Sequence, residues 1–148
     1  RLEDAPAALR RYLDAHGLPA SGCVWPALAA LDWAGAGLAL AARAARDEDA
    51  AGVTGAFCGI AETGTLMLVS GAERPASVSL LPETHAALLP VERIVDTMED
   101  AWALARRELR ALPRAVNFIS GPSRTADIEQ TLVLGAHGPY RVHIVLIG

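Results

Sequence analysis

The stretch that decides the fold is Asn117-Phe118-Ile119-Ser120-Gly121-Pro122-Ser123-Arg124-Thr125-Ala126-Asp127-Ile128-Glu129. Its apolar beginning predicts a strand over residues 115–119, which Gly121-Pro122 ends. The hydroxyl and acidic residues that follow are typical of the first turn of a helix, where they cap free N–H groups and suit the helix dipole. The stretch therefore predicts a strand, a tight turn and a helix, the unit from which α/β proteins are built.

This turn is also a candidate ligand site. Backbone N–H groups at the start of a helix, two hydroxyls and the Arg124 guanidinium could bind a phosphate or a carboxylate. The alternative is a helix that caps itself, with Arg124 paired to Asp127 or Glu129, and both interpretations stay open. The candidate binding residues of the turn are Gly121, Pro122, Ser123, Arg124, Thr125 and Asp127.

The rest of the chain alternates helical patterns with apolar runs that lack polar alternation. Such runs are typical of strands covered on both faces, so we expect an α/β fold with a largely parallel central sheet, in a single domain over residues 1–148. Helices are expected at residues 2–15, 26–33, 92–112 and 126–134. Strands are expected at residues 21–25, 35–42, 66–69, 78–81, 86–91 and 142–147.

A second polar segment, Glu62-Thr63-Gly64-Thr65, lies between two apolar runs. A carboxylate and two hydroxyls around a glycine suit hydrogen bonding to a sugar, an acid or a thioester, and Glu62 is a candidate nucleophile or base. The alternative is a glycine-containing turn whose hydroxyls bond to the backbone. No partner for the carboxylate is evident from the sequence.

The third polar segment is His137-Gly138-Pro139, before the last expected strand. His137 could act as an acid or base, or bind a ligand from a loop, while a purely structural turn is at least as consistent with the glycine and proline. His85 and His143 are weaker candidates. None of these histidines has metal-ligand spacing to a second histidine or cysteine, so no metal site is expected.

Composition excludes several classes of function. The net charge is −4, which argues against a nucleic-acid partner. All 13 basic residues are arginine, and without lysine there is neither Schiff-base chemistry nor a P-loop lysine. No apolar run is long enough to span a membrane and no signal-like segment is evident, so we expect a cytoplasmic protein. The two cysteines cannot supply the four thiolates of an iron–sulfur cluster.

Taken in order, these segments resemble the LUD-domain family. The resemblance rests on Val53-Thr54-Gly55, on residues 61–65, on Leu80-Leu81-Pro82-Glu83-Thr84-His85, on residues 120–129 and on Gly135-Ala136-His137-Gly138-Pro139. The run from Gly121 to Glu129 is its most specific part. The N-terminal helical extension of relatives is short or missing here.

The resemblance implies a Rossmann-like, three-layer αβα sandwich similar to the group of ribose-5-phosphate isomerase, glucosamine-6-phosphate deaminase and CoA-transferases. It also implies a subunit or accessory protein in the oxidation of L-lactate to pyruvate, acting with iron–sulfur partner proteins. We expect no cofactor bound by this chain, with the iron–sulfur clusters held by the partners. A small carboxylate or phosphate is the expected ligand.

Two further functions remain open. One is a stand-alone enzyme of the sugar-phosphate isomerase or CoA-transferase kind that uses Glu62. The other is a structural scaffold in which the polar groups of the turns hydrogen-bond to one another and bind no ligand. Because loops at the carboxyl ends of parallel strands meet in one crevice, we predict that Glu62, Ser123, Arg124 and His137 line one cleft.

Overall fold

The computed structural model describes residues 1–111, 113–120 and 139–148. The described helices are α1 (Ala5–Ala15), α2 (Ser77–Leu80) and α3 (Met98–Glu108), with short 3-10 turns at Leu2–Asp4, Pro26–Leu28, Ala34–Ala36 and Val91–Arg93. The described strands are β1 (Ser21–Val24), β2 (Ala39–Ala42), β3 (Ala51–Gly55), β4 (Cys58–Ile60), β5 (Thr65–Val69), β6 (Thr84–Pro90), β7 (Ile94–Val95), β8 (Val116–Ile119) and β9 (Arg141–Ile147).

Five strands form a sheet that is parallel throughout, in the order β2-β1-β3-β6-β9. We call it the parallel sheet. Its inner strands β3 and β6 are buried along almost their whole length, as expected for strands covered on both faces. The expected α/β architecture with a largely parallel sheet is confirmed.

The other four strands form a mixed sheet in the order β7-β4-β5-β8. Strands β4 and β5 make an antiparallel hairpin, β8 pairs antiparallel to β5, and β7 pairs parallel to β4. The hairpin turn contains Gly64, whose φ of 64° lies in the left-handed region that glycine adopts without steric cost. The polar segment that begins at Glu62 is therefore a hairpin turn.

The elements pack in layers around three hydrophobic clusters. Helix α1 covers one face of the parallel sheet, where Leu9 and Leu13 pack with Val53. The opposite face packs against α2 and the mixed sheet, and α3 covers the outer face of the mixed sheet. In the part of the chain that the structure describes, no helix is both long and apolar enough to cross a membrane.

Four expected elements differ from the structure. The helix expected at residues 26–33 is only the 3-10 turn Pro26–Leu28, and the strand expected at residues 35–42 begins at Ala39, after the 3-10 turn Ala34–Ala36.

The run Val78–Leu81 is expected to be a strand, but Val78 to Leu80 belong to helix α2, because a four-residue run with three apolar side chains suits a buried helical turn equally well. The helix expected at residues 92–112 begins only at Met98. Thr97 and Asp100 form a capping box that fixes this start, and the residues before it form a turn and β7.

Helix α2 can approach the parallel sheet only because β3 carries a glycine there. A Cβ atom built on Gly52 would lie 2.0 Å from the carbonyl oxygen of Val78, which is backbone and cannot rotate away. The layer spacing at this point therefore depends on the absence of a side chain.

We expect Gly52→Ala to lower the free energy of unfolding by about 2–3 kcal/mol, because overpacking forces backbone shifts. The matched control is Gly71→Ala, where an added Cβ atom meets nothing within 4 Å. Urea unfolding of both variants measures the difference. Equal stabilities would show that α2 moves away without cost.

Candidate functional site

Three hydroxyls join the hairpin turn to the end of β8. The Thr63 and Thr65 Oγ1 atoms lie 2.7 Å apart, and Thr65 Oγ1 lies 2.6 Å from the Ser120 Oγ. We call these residues the hydroxyl cluster. Thr65 is only 3% exposed, so its hydroxyl depends on these two partners. The cluster places Ser120 beside the turn that carries Glu62.

The backbone of the Glu62 turn is anchored, while its carboxylate faces solvent. The Ala61 and Glu62 N–H groups donate to the carbonyl oxygens of Val95 and Asp96, at 2.8 and 3.0 Å. Glu62, Thr63 and Gly64 are exposed. A fixed backbone with an exposed carboxylate suits recognition of a ligand or partner better than nucleophilic catalysis, which needs a group tuned by its surroundings.

The other predicted site residues lie outside the described residues. They are Gly121, Pro122, Ser123, Arg124, Thr125, Asp127, His137 and Gly138. Their flanks are described: Ser120 lies beside the Glu62 turn, and Arg141 begins β9 opposite Thr84. The prediction that Glu62, Ser123, Arg124 and His137 share one cleft stays a prediction.

His85 is fully buried near the start of β6. Its Nε2 lies 2.8 Å from the Thr54 hydroxyl oxygen, and its Nδ1 has no hydrogen-bond partner among the described residues. Burial lowers the pKa of His85 to about 4, so the imidazole is neutral at pH 7. From the sequence, His85 was a weaker candidate than His137, because its burial follows only from the tertiary structure.

A cleft of about 560 Å³ opens where the strands of the parallel sheet end, and its lining residues were not predicted from the sequence. We call it the carboxyl-end cleft. Its walls include Trp25, Gly55, Pro90 and Ile147, which end or follow β1, β3, β6 and β9. This end of a parallel sheet is where α/β proteins bind ligands. Glu62 is not among the residues that line it.

One wall of the carboxyl-end cleft is held by an ion pair between Arg93 and Glu108. The Arg93 NH1 and NH2 groups donate to the two Glu108 carboxylate oxygens at 3.0 and 2.9 Å, and its Nε donates to the Phe57 carbonyl oxygen at 2.9 Å. The guanidinium lies 4.9 Å from the centre of the Phe57 ring. Arg93 is thus fully engaged, and it lowers the pKa of Glu108.

The two cysteines are buried free thiols, and the pKa of each is raised, which disfavours the thiolate. Burial, with Asp49 nearby, raises the pKa of Cys23 to about 12, and burial raises the pKa of Cys58. Arg43 holds the pKa of Asp49 at about 2 through paired hydrogen bonds of 2.7 and 3.0 Å. Among the described residues, no group of three or more histidine, cysteine or acidic side chains could hold a metal ion.

The parallel sheet, covered by helices and by the mixed sheet, defines the class as an α/β protein. The sequence model of the LUD domain matches residues 28–147, and the chain belongs to the LUD-domain family. The solved structure of a DUF162 family protein from Deinococcus radiodurans has the same fold, with a TM-score of 0.73 and 22% identity. That match covers 98% of this chain and 83% of the other.

Several curated proteins are similar in sequence. An uncharacterized protein of Neisseria meningitidis is 44% identical over 97 residues, which is 66% of this chain and 42% of that protein. Lactate utilization protein C of Bacillus licheniformis is 38% identical over 99 residues, covering 65% and 41%, and that of an Exiguobacterium species is 42% identical over 100 residues, covering 65% and 43%. The chain thus matches about two fifths of the length of these relatives.

We expect stability to fall as the pH drops from 6.5 towards 4, because only the unfolded state then protonates His85. Above pH 6.5 the imidazole is neutral in both states and its contribution is complete; below pH 4 that contribution is lost. The loss attributable to His85 is up to about 3 kcal/mol.

Urea unfolding at several pH values tests this expectation. His85→Gln should flatten the dependence between pH 6.5 and 4. His16→Gln, at an exposed position, should keep most of it, although the charge of His16 is the second cause, after burial, of the lowered pKa of His143. His143, whose pKa is also lowered by burial, supplies a residual slope of the same sign in both variants. An identical slope in His85→Gln and the unmodified chain would contradict the assignment.

We expect Thr65→Val to cost about 1–2 kcal/mol of unfolding free energy, because it keeps the side-chain shape but leaves the Ser120 hydroxyl without its partner. Thr63→Val, at the exposed end of the hydroxyl cluster, is the control and should cost clearly less. Thermal unfolding of the two variants compares them. Equal losses would mean that the cluster does not join the turn to β8.

Proposed function

We propose that this protein is a subunit or accessory protein of a system that oxidises L-lactate to pyruvate together with iron–sulfur partner proteins. The observation that carries the proposal is its likeness to proteins named lactate utilization protein C, at 38% and 42% identity for the two described above. Membership of the LUD-domain family, across residues 28–147, supports it. The relatives are longer, so the proposal concerns the matched region.

The two cysteines support the proposal that partner proteins, and not this chain, hold the iron–sulfur clusters. Oxidation of lactate to pyruvate releases two electrons and two protons, and the proposed acceptors of the electrons are iron–sulfur clusters. Such clusters are commonly held by four thiolates. This chain has two cysteines, both buried and both with a raised pKa, which favours the neutral thiol over the thiolate. We therefore propose that the partners hold the clusters.

The Glu62 turn is the proposed contact for a small carboxylate or for a partner protein. Its backbone is fixed by Val95 and Asp96, so little conformational freedom is lost when it binds. The Ser120 hydroxyl lies at the same end of the mixed sheet and leads into the motif that was expected to bind an anion. An exposed carboxylate at this place suits a partner surface that carries positive charge.

The alternative, a stand-alone enzyme that uses Glu62 as nucleophile or base, has less support. Such a residue works best in a cleft that excludes water and adjusts its pKa. Glu62 is exposed and is absent from the lining of the carboxyl-end cleft. Covalent labelling of Glu62 by a thioester substrate would favour the alternative.

Deleting the gene for this protein in its own host should abolish growth on L-lactate and preserve growth on pyruvate. The pyruvate culture is the control, because it bypasses the oxidation step while keeping the same downstream carbon flow. Growth on L-lactate at the normal rate would contradict the proposal.

Complementing the deletion strain with genes for variants of this protein tests the role of the Glu62 turn. We expect Glu62→Gln to restore growth on L-lactate incompletely, because the amide removes the charge and keeps the shape. Glu99→Gln, at another exposed glutamate, on α3, should restore it fully. Full restoration by both variants would show that the Glu62 carboxylate is not part of the proposed contact. That result would not contradict the proposed role in lactate oxidation.

A further inference from the structure

We infer that the carboxyl-end cleft is a second ligand site, one that takes an amphipathic organic anion with an aromatic or branched apolar body. The inference does not depend on the proposed role in lactate oxidation. It rests on the size of the cleft, on its rigid apolar walls and on one cationic side chain at its rim.

The size of the cleft sets the size of the ligand. A volume of about 560 Å³ falls within the range of small-molecule sites, which bury most of a drug-sized compound. A three-carbon hydroxy acid such as lactate would leave most of that space unfilled, and unfilled apolar walls contribute nothing to binding. The cleft therefore suits a larger molecule than the proposed substrate.

The walls are apolar and already in place. Trp25 is 5% exposed, and its indole Nε1 donates to the Pro75 carbonyl oxygen at 3.0 Å, which fixes the ring. Gly55 lies beside that ring, and a Cβ atom added there would contact it at 3.6 Å. Half-buried Phe57 and buried Leu88 also line the cleft. Preformed walls of this kind reduce the entropic cost of binding.

The charge at the rim sets the polarity of the ligand. Arg93 is neutralised by Glu108, whereas the ion pairs of the described residues do not include Arg74. Among the residues that line the cleft, two guanidinium groups and one carboxylate leave an excess of one positive charge, in a chain whose net charge is −4. The backbone of Arg74 pairs with Gly71, so the side chain projects from an ordered turn. A carboxylate or sulfonate group fits this position.

Two dyes that differ in one charged group test the inference directly. Anilinonaphthalene sulfonate carries an apolar body and an anionic group, and phenylnaphthylamine has the same body without the anion. We expect the purified protein to bind the sulfonate about tenfold more tightly than the uncharged dye, because a guanidinium–anion hydrogen bond is charge-assisted. Calorimetric titration with each dye measures the ratio.

Variants locate both parts of the site. Arg74→Gln should abolish the preference for the sulfonate and leave the affinity for phenylnaphthylamine unchanged, which also shows that the cleft is intact. Arg106→Gln, an exposed position on α3, should keep the preference. Ala27→Trp should block both dyes by filling the cleft, while Ala29→Trp, exposed and outside the lining, should block neither.

Three results would overturn the inference. The first is equal affinity of the unmodified protein for the two dyes. The second is a preference for the sulfonate that survives in Arg74→Gln. The third is undiminished binding of both dyes to Ala27→Trp, which would place them on another surface. Growth of the gene deletion on L-lactate does not enter this test, so the two proposals fail or stand separately.

Discussion

The burial of strand β6 on both faces is the constraint on which the other layers depend. Its residues from Thr84 to Leu89 are all buried, and β3 and β9 pair with it on either side. Alternate side chains serve different layers: Ala86 and Leu88 pack towards α1, whereas Ala87 and Leu89 pack towards the mixed sheet. Because the alanines at positions 86 and 87 are small, both layers approach the strand closely. A small change in side-chain volume there would therefore disturb the packing of the whole core.

The burial of β6 also explains why His85 lowers the stability of the fold. On β6 the imidazole meets one polar partner, Thr54, and no described residue bonds its second nitrogen. An orphaned nitrogen in a low-dielectric surrounding lowers stability, and protonating it would cost more. Because the strand is fixed by ladders on both sides, the ring cannot turn outward to water. The fold therefore holds this histidine neutral.

The sequence predicts those features of the fold that are encoded by neighbouring residues, and it misses those that depend on residues far apart in the chain or on very short segments. The apolar strands and the α/β class follow from periodicity, and the hairpin turn follows from Gly64 and its polar neighbours. The short helix α2 could not be predicted, because Val78–Leu81 carries no periodic signal over four residues.

The carboxyl-end cleft needed tertiary structure as well. It brings Trp25, Phe57 and Arg74 together from distant parts of the chain, and the partner of Arg93 is 15 residues away on α3. The family motifs, by contrast, were evident from the residues alone, since each is a contiguous run. Long-range pairs such as Thr65 and Ser120 carry no contiguous signal.

Strand β5 connects the two candidate sites and also separates them. Thr65 begins the strand in the hydroxyl cluster, and Val69 ends it in the wall of the carboxyl-end cleft. Four residue steps of an extended strand span about 13 Å, so a three-carbon acid bound at one end cannot touch the other. The strand is buried and paired on both sides, which makes the spacing rigid. Two ligands, or a ligand and a partner protein, could therefore be held at the two ends without contact.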